Sequence, residues 1–165
     1  MRSERALLLA LVATLSAAIG APCGAGPNHS LSFEAPATVP TGTVFSVDVV
    51  VNAANPIHAF DFDVKWESAP LAWAFLVEPH VEFDDDSALF LTPAISTNQG
   101  TVKGVVDLRH GGPGLSGTFR VARIWFFSFF APAPLHLSFT SGNLATAGGA
   151  SPVVALKPSV VTIGP

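Results

Sequence analysis

The chain is poor in the residues that many functions require. Among its 165 residues there is one cysteine, one methionine and no tyrosine. A lone Cys23 forms no intramolecular disulfide and cannot build a thiolate metal site. Charged residues make up only 12% of the chain, with 8 basic against 12 acidic side chains and a net charge of −4. A nucleic-acid surface needs clustered Lys and Arg, and no such cluster exists, so nucleic acid is excluded as a partner. Helical periodicity is missing beyond the first 21 residues. Only one apolar run is long, and it falls short of the ~20 residues of a membrane span.

That run belongs to the N-terminus. Arg2 and Arg5 precede an apolar stretch over residues 6–21, followed by small residues suited to cleavage. Residues 1–21 therefore read as a signal peptide, and the mature protein is expected to be exported, extracellular or periplasmic, with no membrane span. Without Arg2, Arg5 and Glu4, 6 basic and 11 acidic residues remain, a net charge of −5. Pro22 directly precedes Cys23, which departs from the Leu-Ala-Gly-Cys pattern of lipid attachment and argues against an anchor there. Residues 22–30 are rich in Gly, Pro and Ala and read as a flexible lead-in. Residues 31–165 form one domain.

What is abundant is strand punctuation: 14 Gly and 14 Pro separate short runs rich in Val, Phe and Thr. The clearest run is Phe60-Asp61-Phe62-Asp63-Val64-Lys65-Trp66-Glu67, eight positions of strict apolar and charged alternation. Successive side chains of a strand point to opposite faces. Phe60, Phe62, Val64 and Trp66 are thus expected in a core, with Asp61, Asp63, Lys65 and Glu67 outside. Further strands are expected over 31–34, 44–52, 71–77, 88–92, 101–109, 118–130, 135–140 and 153–163. Turns are expected at Thr41-Gly42 and Asn98-Gln99-Gly100. About nine strands without helices predict an all-β, jelly-roll β-sandwich.

Catalytic patterns are not apparent. Gly114-Leu115-Ser116-Gly117 misses the nucleophile-elbow spacing by one residue, and the five histidines are scattered. No enzyme activity and no cofactor are expected. Asp84, Asp85 and Asp86 offer carboxylate oxygens of the kind calcium takes, but they lack the ligand spacing and Gly of an EF-hand loop, and a solvated acidic loop accounts for them. In the run 121–127, alternation sends Ala122, Ile124 and Phe126 inward and leaves Arg123, Trp125 and Phe127 outward. An outward aromatic row can stack on sugar rings or meet a protein, unless other segments cover it.

Several runs, in order, resemble the cohesin family. Residues 43–51 and 59–67 are similar to its paired opening strands. Asp107-Leu108-Arg109, Gly112, Gly114, the runs 116–119 and 122–126, and Leu135-His136-Leu137-Ser138 are similar to its later blocks. The resemblance implies a nine-stranded jelly-roll sandwich that docks dockerin modules through one sheet face, built from the family's third, fifth, sixth and eighth strands. Relatives carry an outward Asn-x-Asp pair on the third strand; Asp61 matches the Asp, and Ala59 stands at the position of the Asn. The resemblance thus implies a dockerin-like protein partner, with Asp61, Asp63, Lys65 and Asp107 supplying polar contacts and Leu89 and Leu91 apolar ones. Two alternatives stay open: a polysaccharide-binding module using Arg123, Trp125 and Phe127, and a structural subunit of an envelope or extracellular assembly.

Overall fold

A computed structural model describes residues 28–67, 72–83, 89–91, 93–109, 113–129 and 132–165. The signal-peptide residues, Cys23 and Asp84, Asp85 and Asp86 lie outside them. The described residues form strands and turns and no helix, in the order β1 (His29–Glu34), β2 (Thr38–Pro40), β3 (Val44–Ile57), β4 (Ala59–Trp66), β5 (Ala72–Pro79), β6 (Leu89–Leu91), β7 (Ala94–Ser96), β8 (Thr101–Leu108), β9 (Leu115–Ser128), β10 (Ala133–Ala145), β11 (Val154–Leu156) and β12 (Ser159–Gly164). One sheet runs β11-β1-β3-β9-β5. The other runs β2-β12-β10-β4-β8-β6, with β7 also pairing β8. Among the described residues, only the β1–β11 and β2–β12 pairs are parallel.

The two sheets stack face to face as a sandwich because each contributes one apolar face. Phe45, Val47, Val49 and Val51 of β3 and Ala122, Ile124 and Phe126 of β9 point inward from one sheet. Phe60, Phe62, Val64 and Trp66 of β4 meet them from the other, as their alternation predicts. Trp66 stands edge-on to Phe126, with ring centroids 5.4 Å apart, and its indole Nε1 donates to the Ala72 carbonyl at 3.0 Å. Phe33 and Phe139 stack across the sandwich at 4.1 Å. Each fully buried aromatic, such as Phe60, Phe62 or Phe126, contributes roughly 1.5–3 kcal/mol through area removed from water.

Several boundaries differ from the sequence-based expectation. The lead-in ends earlier, because His29 and Ser30 are buried and already pair with β3. Strand β3 continues past Asn52 through Asn55-Pro56; Pro56 has no N–H to give, and it sits inside the register break between Ala53 and Ile57. The expected strand over 153–163 divides at Lys157-Pro158, so that β11 joins one sheet and β12 the other. The short strands β2 and β7 carry no periodicity of their own. They exist because a neighbouring strand supplies the hydrogen bonds.

Candidate functional site

Strand β4 lies between β10 and β8, and its outward residues Asp61, Asp63 and Lys65 form the middle of one sheet face. Cross-strand register aligns side chains in rows. Asn143, Asp61, Val106 and Leu91 make one row, and Ala145, Ala59, Leu108 and Leu89 make the next. A polar patch therefore abuts an aliphatic strip in which Leu89 is exposed and Val106, Leu108 and Leu91 are half-buried. The Asn143 Nδ2 donates to Asp61 Oδ1 at 2.7 Å, and the Gly104 N–H donates to Asp63 Oδ1 at 2.7 Å. Both carboxylates are thus held in place. Burial pushes the Asp61 carboxyl above its ordinary range and the Asp63 charge adds to the rise, while the bonds from Asn143 oppose it. Beyond Lys65 the face continues past Ser138 and His136.

Two bulges flanking Asp63 decide which residues share this face. On β8, Val102 faces Val64 and Val105 faces Phe62, so Lys103 and Gly104 together oppose Asp63. The extra residue, with Gly104 at φ 72°, reverses the alternation beyond it. Asp107 consequently points inward and is fully buried, an interior residue rather than the expected surface contact. Val106 and Leu108 take the outward positions. On β10, Thr140 is the extra residue between Phe139 and Ser141. Without it, the inward phase of Leu135, Leu137 and Phe139 would continue to 143. With it, Leu144 is buried and Asn143 is exposed.

Asn143 is the functional candidate that the sequence reading missed. It lies 82 positions from Asp61, and neither neighbour nor spacing marks it. Ala59, at the position where the cohesin resemblance implies Asn, is almost fully buried. The amide beside Asp61 comes from the adjacent strand β10.

Arg123, Trp125 and Phe127 lie on the outer face of the opposite, five-stranded sheet, half-buried. Their polar groups are engaged. Arg123 makes a two-pronged bond to Asp48 at 2.6 and 3.0 Å and lies over the Trp125 ring at 5.8 Å. The Trp125 Nε1 donates to Glu78 at 2.9 Å. Arg120 extends the ion-pair network, reaching Glu34 and Glu82 at 2.7 Å each and Asp48 at 3.3 Å. The more exposed aromatics on this side are Trp73 and Phe75 of β5.

No family model matches the chain, and no curated protein matches it in sequence. Solved structures do match it. The cohesin module of a family 33 glycoside hydrolase from Clostridium perfringens superposes with a TM-score of 0.69 at 11% identity, over 83% of this chain and 97% of that one. The sixth cohesin of scaffoldin B from Acetivibrio cellulolyticus, solved in complex with a dockerin, gives 0.67 at 13% identity over 83% and 99%. A non-cellulosomal cohesin from the archaeon Archaeoglobus fulgidus gives 0.68 at 15% identity over 84% and 92%. The chain has the cohesin fold, an all-β sandwich.

Proposed function

We propose that this protein is an exported, non-catalytic binding module of cohesin type that grips a dockerin-like protein partner through the outer face of β10, β4, β8 and β6. The observation that carries this reading is the Asn143–Asp61 pair set beside the aliphatic strip of Leu89, Leu91, Val106 and Leu108. Fixed acceptors next to exposed apolar area suit a partner surface that offers hydrogen-bond donors and aliphatic side chains. Asp61 is already partly withdrawn from water, so docking a donor onto it costs little further desolvation. Lys65, exposed on the same face, adds a charge of opposite sign that fixes orientation. Export rests on the signal-peptide pattern of residues 1–21.

The test is capture of a partner from the native secretome, and titration of dockerin modules by calorimetry. Loss of a charged hydrogen bond buried at an interface costs on the order of 2–5 kcal/mol, equivalent to ~30- to ~4000-fold in affinity. Asp61→Ala should lose capture by that factor without a fall in melting temperature, and Asn143→Ala should weaken it less. Equal capture by the wild type and Asp61→Ala would overturn the assignment of this face.

A further inference from the structure

Strand β6 brings Leu89 and Leu91, half of the aliphatic strip, to the docking face, and little within β6 itself holds it there. It has three residues, pairs with β8 alone among the described residues, and packs only Phe90 against the core. A short edge strand lies at the low end of local stability, because few bonds must break to release it. Six positions before Leu89, Phe83 is fully buried. Its ring meets Phe60 of β4 edge-on at 5.1 Å and stacks on Phe119 of β9 at 6.0 Å, so it joins the two sheets. Phe60, Asp107 and Phe90 form one cross-strand row. Phe83 therefore sits against the row that ends in β6.

The segment around Phe83 is tied to both sheets. The His80 N–H donates to the Val121 carbonyl of β9 at 3.1 Å, and the Phe83 N–H closes a turn onto the His80 carbonyl at 2.9 Å. Glu82 accepts from the Arg120 backbone N–H at 2.6 Å and from its guanidinium at 2.7 Å. From the docking sheet, Arg109 donates to the Phe83 carbonyl at 3.2 Å and lies over the Phe83 ring at 5.7 Å. Val81 between them is exposed, so these ties and the Phe83 ring, not burial of the whole segment, fix its position. Six residues of chain reach at most ~22 Å. Where Phe83 is anchored therefore bounds where β6 can lie.

We propose that Phe83 and Glu82 are positioning residues for docking. Phe83 anchors the chain between the sheets, Glu82 latches that anchor to Arg120 on the opposite sheet, and together they keep β6 paired to β8. The inference rests on the docking face proposed above, but attachment of β6 belongs to the free protein and is measured without a partner. Release of β6 would take Leu89 and Leu91 away from Leu108 and Val106 and halve the strip. A partner that needs the whole strip binds only the attached fraction, so its apparent Kd rises in inverse proportion to that fraction.

Hydrogen exchange of the full chain, read amide by amide, tests the anchor. Glu82→Ala should speed exchange of the β6 amides about two- to fivefold, the range of an exposed ion pair. The amides of β2 and β11, short edge strands elsewhere, should keep their wild-type rates. Glu34→Gln removes the other carboxylate that Arg120 reaches at 2.7 Å without touching the segment 80–83, and should leave β6 unchanged. Phe83→Ala should speed β6 exchange by about tenfold or more, and Phe83→Leu should restore most of the protection. If Phe83→Ala fails to fold, Glu82→Ala carries the test. A β6 indifferent to Glu82→Ala, or one whose gain β2 and β11 share equally, would overturn the proposal. Calorimetric titration of dockerin modules supplies the second arm. A dockerin held equally tightly by wild type and by Phe83→Ala with β6 released would also overturn it. If β6 responds but no dockerin binds the wild type, the anchor stands and the docking reading alone falls.

Discussion

Replacing Trp66 with Phe probes the contact between the two sheets. Trp66 is 1% exposed, donates its indole N–H to the Ala72 carbonyl at 3.0 Å and meets Phe126 edge-on. Phenylalanine keeps an aromatic ring but has no donor. Ala72 is fully buried, so its carbonyl loses a partner that water cannot replace. An orphaned buried acceptor costs about 1–3 kcal/mol. The smaller ring also leaves roughly 40 Å³ unfilled, about 1 kcal/mol at ~24 cal/mol per Å³. The expected loss is therefore about 2–4 kcal/mol, or a fall of ~6–15 °C in melting temperature for a domain of this size. Urea unfolding followed by tryptophan fluorescence and circular dichroism measures it. Trp73→Phe, on the exposed edge, serves as the control and should change stability by less than ~0.5 kcal/mol. A loss below ~1 kcal/mol for Trp66→Phe, or equal losses for the two variants, would refute the assignment of inner and outer faces.

Asp61→Asn tests the strain of a charge on the outer face of β4. A carboxyl raised in the folded state adds stability when protonated and loses it as pH rises from the ordinary value of 3.8 through the raised one. The variant should therefore match the wild type near pH 3 and melt higher at pH 7; a gap that stays constant or shrinks with rising pH would contradict the sign. Ser128→Ala removes a buried hydroxyl that accepts from the Thr43 N–H at 3.0 Å and donates to the Pro40 carbonyl at 2.8 Å. Calorimetric unfolding should show a loss of about 1–3 kcal/mol. Gly104→Ala places a side chain at φ 72°, where space is open but the backbone is disfavoured. Chemical denaturation should show about 1–2 kcal/mol lost, and an unchanged midpoint would mean that the β8 bulge does not depend on glycine.

Much of the sandwich could be read from local pattern. The alternation over 60–67 assigned the inner and outer faces of β4, and the run 122–127 did so for β9. A strand's side chains alternate whatever it pairs with, so this information is contained in a few consecutive residues. The punctuation by Gly and Pro located most turns for a similar reason, although Pro56 inside β3 shows that proline can sit at a register break rather than end a strand.

The site was less legible. Asp107 carries the right chemistry at the right place in the chain, yet the bulge at Lys103-Gly104 turns it into the core. Asn143 comes to the surface only because Thr140 is the extra residue in β10. Both outcomes depend on how one strand counts against its neighbour, which no single segment encodes. The sequence by itself determined that this is a β-sandwich with a charged outer row on the strand that carries Asp61. The tertiary structure alone decided which side chains stand beside that row, because a one-residue slip between paired strands exchanges every inward residue for an outward one.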